Sequence, residues 1–142
     1  MDDLVQWLRA QLDEDERVAR GCSGRAWWEH PKNWVSAPPL NRIALVVHDG
    51  DRGHVVRHDP ARVLREIDAK RGIVGLYASA LEERAALRAR MREVIHVDPD
   101  EFGRLHRQES ELIESAERML PVVRLLAVPY ADQPGYREEW RP

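Results

Sequence analysis

The sequence is short of cysteine, of long apolar runs and of excess positive charge, and each shortage removes a class of protein. Its one cysteine, Cys22, cannot form an internal disulfide, so a disulfide-stapled secreted scaffold is excluded and a reducing, cytoplasmic setting is expected. No apolar stretch approaches the roughly 20 residues that cross a bilayer, and Asp2 and Asp3 stand where a secretory leader carries positive charge. No membrane partner is expected. Lysine and arginine number 22 against 25 acidic residues, a net charge of −3, so the chain as a whole is not drawn to phosphate backbones, and nucleic acid is disfavoured as a partner. A nucleotide-binding glycine loop is also missing, because the glycines of Asp49-Gly50-Asp51-Arg52-Gly53 come without the required lysine.

What is present fits one folded domain of 142 residues, 43% hydrophobic and 33% charged, rich enough in apolar side chains to offset ordering entropy. Leu4, Leu8, Leu12 and Val18 or Ala19 recur at helical spacing and predict a helix over 3–20, capped by Asp2 or Asp3 and ended by Gly21. The run Asp13 to Glu16 faces water. A segment rich in tryptophan and proline follows, with Trp27, Trp28 and Trp34 read as the core of a small sheet. A strand is expected near 25–30. The β-branched run Arg42 to Asp49, the turn residues Asp49 to Gly53 and the stretch His54 to His58 together read as a β-hairpin, so that 25–58 forms two or three antiparallel strands.

Asp59 before Pro60 is a strong helix start. It predicts a long helix over 60–92 with two apolar stripes: Val63, Ile67, Val74, Tyr77, Leu81 and Ala85 on one side, and Ile73, Leu76, Ala80, Leu87 and Met91 on another. A helix apolar on two sides has two neighbours, and the second stripe is assigned as a protein interface, with self-association or another protein as partner. Gly72 and Gly75 mark either a break or the close approach of another backbone. Asp98 and Pro99 open a third helix over 99–128, with a kink expected near Pro121, and 129–142 reads as turns. Residues 61–92 carry eight cations against four anions, while 99–120 carry six anions against three cations. Opposite charges favour an antiparallel pair of these helices. The expected fold is therefore α+β and helix-dominated, with a small antiparallel sheet of two to three strands packed against three main helices.

Chemistry is harder to place. In the hairpin register His48 faces His54, close enough to share a metal, which makes this pair the metal candidate, while His58 lies roughly 13 Å farther along the strand. The bland alternative is a polar hairpin tip. Arg84, Arg88 and Arg92 fall at i, i+4 and i+8 and form the nucleic-acid candidate face, although acidic residues of the third helix are the preferred partners. Cys22, beside Ser23, has no general base in any nearby motif and reads as a packing residue. No catalytic residue is assigned and no cofactor is expected.

Two segments carry a resemblance. His54 to Val74, HVVRHDPARVLREIDAKRGIV, and Val123 to Pro142, VRLLAVPYADQPGYREEWRP, resemble an uncharacterised family of short actinobacterial and actinophage proteins that end in an LPYADHPDYREEW-like tail. The opening MDDLVQWLRAQLDEDERVAR is similar to the same family. Its members carry a TPGPW-like segment after the first helix and a cysteine cluster before the last. Here GCSGRAWWEH lacks those prolines and residues 94–118 hold no cysteine, so no zinc role carries over. The resemblance implies a domain of unknown function. The reading favoured by these observations is a non-enzymatic interaction or regulatory accessory protein of phage or mobile-element type. A small metal-dependent hydrolase or metal-binding protein using His48 and His54 is one alternative, and nucleic-acid binding the other.

Overall fold

The computed structural model describes residues 2–38 and 42–142; Pro39 and Leu40 of the proline-rich segment lie outside the described residues. The fold is α+β and dominated by helices, with a small antiparallel sheet, as expected. Its order is α1 (Asp3–Gly21), β1 (Trp28–His30), β2 (Trp34–Ser36), β3 (Ala44–Leu45), α2 (Asp49–Arg57), α3 (Pro60–Val94) and α4 (Pro99–Ala127), followed by short 3₁₀ turns at Val128–Tyr130 and Glu138–Trp140. The residues form two compact units, one of 10–70 and one of 1–9 with 71–142.

Within the first unit, β1 pairs with β2 in the register Trp28 to Ser36 and His30 to Trp34, and β2 pairs with β3 through Trp34 to Leu45 and Val35 to Ala44. Lys32 and Asn33, both at positive φ (71° and 64°), turn the chain between β1 and β2. Val35, Ser36 and Ala37 are buried. The tryptophans are not the core of the sheet: Trp28 is 41% exposed, Trp27 is half-buried with its indole N–H donating to the Ser23 carbonyl, and half-buried Trp34 carries the Arg42 guanidinium over its ring.

The expected hairpin of 42–58 is not formed. Only Ala44–Leu45 is strand, and Asp49–Arg57 is a helix in which no residue is buried. Two forces outweigh the β-branched residues. Asp49 and Asp51 occupy the first turn and Arg57 the last, which complements the helix dipole. Arg52 then fastens the helix to the sheet and the turns beside it: its guanidinium donates to four acceptors, Asp49 (2.5 Å), Glu29 of β1 (3.2 Å), the Asn33 side chain (3.0 Å) and the Val46 carbonyl (3.1 Å).

In the second unit both predicted caps hold. The Asp98 carboxylate accepts from the Glu101 amide at 2.8 Å, ahead of Pro99 at the first turn of α4. The Asp2 carboxylate accepts from the Leu4 and Val5 amides at 2.9 and 3.2 Å at the start of α1. The corresponding Asp59 cap on α3, to the Arg62 amide at 2.8 Å, belongs to the other unit. Gly72 and Gly75 do not break α3, which runs 35 residues without interruption, and α4 runs through Pro121. Leu4, Val5, Leu8, Val74, Tyr77, Ala116, Val123 and Ala127 are buried in this unit.

Candidate functional site

The α3–α4 pair concentrates most of the residues singled out from the sequence. Arg90 donates to Glu101 at 2.9 Å, while Arg84 (3.4 Å) and Arg88 share one oxygen of Glu109. As the α3 numbers rise from Arg84 to Arg90 the α4 partners fall from Glu109 to Glu101, so the helices run antiparallel, as their opposite charges predict. Glu109 is 8% exposed. The Arg88 guanidinium, followed by that of Arg84, holds its carboxyl below the usual carboxylate range against the opposing effect of burial. Of the three arginines proposed as a nucleic-acid face, two are thus engaged by α4 and Arg92 is exposed.

The second stripe of α3 does not form one open surface. Ala80 is buried, Leu76 is 66% exposed, and Ile73, Leu87 and Met91 are half-buried. Leu87 lines a hollow of about 520 Å³ together with Leu112 of α4, rimmed by Glu83 and Glu111. Met91 lines another, of about 430 Å³, with Phe102, Ile95, Arg88 and Arg92. The distal part of this stripe therefore finds its neighbour in α4, and what stays accessible there is a pair of hollows. Ile95 (46%) and Val97 (81%), at the turn between the helices, are exposed as well.

The same unit seats the C-terminal tail on the first turns of α1. The Trp7 indole N–H donates to the Pro134 carbonyl at 2.9 Å. Tyr136 and Trp140 pack on its ring at centroid distances of 5.6 and 5.2 Å, with Tyr130 at 6.4 Å. Gly135 sits at φ +85°, where an added Cβ would lie 3.0 Å from the indole nitrogen. Arg137 pairs with Asp3 at 2.9 Å. Beside this cluster, Asp2, Tyr77, Arg124 and Trp140 line a hollow of about 360 Å³, in which burial raises the Tyr77 phenol above its ordinary pKa. Among the described residues the Arg124 Nε has no hydrogen-bond partner. Tyr130 and Trp140 of this tail are buried and Tyr136 is half-buried.

The histidine pair is not brought together as the hairpin register requires. His48 precedes α2 as its N-cap residue and His54 lies in its last turn, six residues or about 9 Å on along the axis. His48 has Asp51 at 3.9 Å, whereas His54 stacks on His58 at 4.3 Å between ring centroids. Among the described residues no group of three or more histidine, cysteine, aspartate or glutamate side chains is arranged to hold a metal ion. Cys22 is half-buried, its thiol against the Val18 carbonyl at 3.5 Å. No described helix is long and apolar enough to cross a membrane.

The model of a family of unknown function, DUF6221, matches residues 1–142. No curated protein and no solved structure matches the chain.

Proposed function

The chain belongs to DUF6221, and we propose that this member of the family is a non-enzymatic interaction protein, regulatory or accessory in kind, that binds a protein partner through the α3–α4 hairpin. The observation that carries the reading is the pair of hollows floored by Leu87 and Leu112 and by Met91 and Phe102, with Ile95 and Val97 exposed at the turn beside the second and Leu76 exposed farther back along α3. Apolar surface left facing water is the usual mark of a recognition face. The likeness of the tail to short actinobacterial and actinophage proteins supports a phage or mobile-element setting, and a cytoplasmic location goes with the unpaired Cys22.

Photo-crosslinking from single positions tests this. A crosslinking residue at Leu76, Leu87 or Ile95 is expected to give discrete protein adducts in cells that express the chain natively, and one at Glu14 on α1 none. Adducts from Glu14 alone, or from no position, overturn the reading.

A further inference from the structure

The two hollows of the α3–α4 hairpin differ in charge. The first has an apolar floor of Leu87 and Leu112 between Glu83 and Glu111. The second carries Arg88, which is paired with Glu109 in the same lining, and Arg92, and leaves Ile95 46% exposed. Ile95, in the turn that follows α3, lines this second hollow together with Arg92, and Arg92 lies five residues, about 140°, round the helix from Leu87. One chain can therefore offer the acidic hollow and the basic knob at the same time, in different directions.

Resting on the reading of this hairpin as a recognition element, we propose that its partner is a second copy of the same chain, docked head to tail: Ile95 of one copy enters the Leu87–Leu112 hollow of the next, and Arg92 meets Glu83 and Glu111. The argument for this occupant is complementarity. The knob has the charge that the hole's rim lacks, and its apolar side chain meets an apolar floor. Because knob and hole are different surfaces, the contact is heterologous, so each added copy leaves one free knob and one free hole. Such assembly grows beyond a dimer with concentration, and rising ionic strength weakens it by screening the arginine–glutamate contacts.

The test uses two variants of the full chain, each altered only at exposed positions: Glu83→Lys with Glu111→Lys to spoil the hole, and Arg92→Ser with Ile95→Ser to spoil the knob without giving it a charge that the altered hole would attract. Sedimentation velocity over a wide concentration range is expected to show species larger than a dimer for the unaltered protein and at least a tenfold weaker association for each variant alone. An equimolar mixture keeps one intact knob and one intact hole, and should form a 1:1 pair and nothing larger. A monomeric unaltered protein overturns the proposal, and so does a dimer that does not grow or a mixture that fails to pair. If crosslinks from Leu87 reach a different protein while the chain stays monomeric, the interaction reading stands and this inference fails.

Discussion

Replacing Trp7 with alanine is expected to cost about 3 kcal/mol of stability. A fully buried aromatic truncated to alanine loses roughly 3–5 kcal/mol, and half-buried Trp7 belongs at the lower end. Its indole N–H contributes about 1 kcal/mol through the Pro134 carbonyl, and each ring contact with Tyr136 and Trp140 adds about 0.5–1.5 kcal/mol beyond area. Trp7→Phe keeps an aromatic ring and removes the donor, so it should lose only about 1 kcal/mol. Gly135→Ala should cost about 1–2 kcal/mol for the left-handed backbone alone, with the clash against the indole in addition. Urea unfolding followed by circular dichroism gives the three values, and hydrogen exchange of 129–142 shows whether the tail is released. A Trp7→Ala loss no larger than the roughly 0.5 kcal/mol of an ordinary surface change, or a tail equally protected without the indole, would refute the reasoning.

Three further outcomes follow from the geometry. Glu109 has a folded-state pKa below its unfolded value, so its stabilising effect is present above the unfolded value, near 4.3, and is lost as pH falls through the lower folded value; Glu109→Gln should flatten the acid limb of a urea midpoint against pH profile, and an unchanged limb would count against the pairing with Arg88. Gly72→Ala and Gly75→Ala should each stabilise by about 1 kcal/mol, since nothing lies within 4 Å of an added Cβ at either position; a loss in equilibrium unfolding would mean that another backbone rests there. Arg52→Ala should speed amide exchange throughout 49–57 while leaving the tail unaffected, and equal protection would show that α2 is held by something else.

The helical frame was legible because its signals are local. Asp59-Pro60 and Asp98-Pro99 put the cap and the first-turn proline side by side, and opposite charges on the two long helices announced their pairing. The segment from Asp49 to His58 was misread because its β-branched residues are local, while three of the groups that receive the Arg52 guanidinium, on Glu29, Asn33 and Val46, come from elsewhere in the chain. The glycines of α3 were ambiguous for a related reason: propensity records their cost, and only the surroundings show that no neighbour requires them. Along the second stripe of α3 Leu76 is exposed, but the burial of Ala80 and the covering of Leu87 and Met91 depend on how α4 lies against α3. Trp7 meets the Pro134 carbonyl across 127 residues of chain, a distance that periodicity does not span.

That last contact bears on the order in which the chain is completed during synthesis. Residues 10–70 form a continuous stretch that can organise once it has left the ribosome, whereas the unit containing Trp7 draws on 1–9 and on 71–142. Closing so long a loop carries a length-dependent entropy of about 4 kcal/mol, which is recovered only when Tyr136 and Trp140 arrive. The first turns of α1 therefore wait, apolar face uncovered, for residues 130–140 to be translated, and a ribosome stalled before Pro134 leaves behind a chain with Trp7 open to chaperones and proteases.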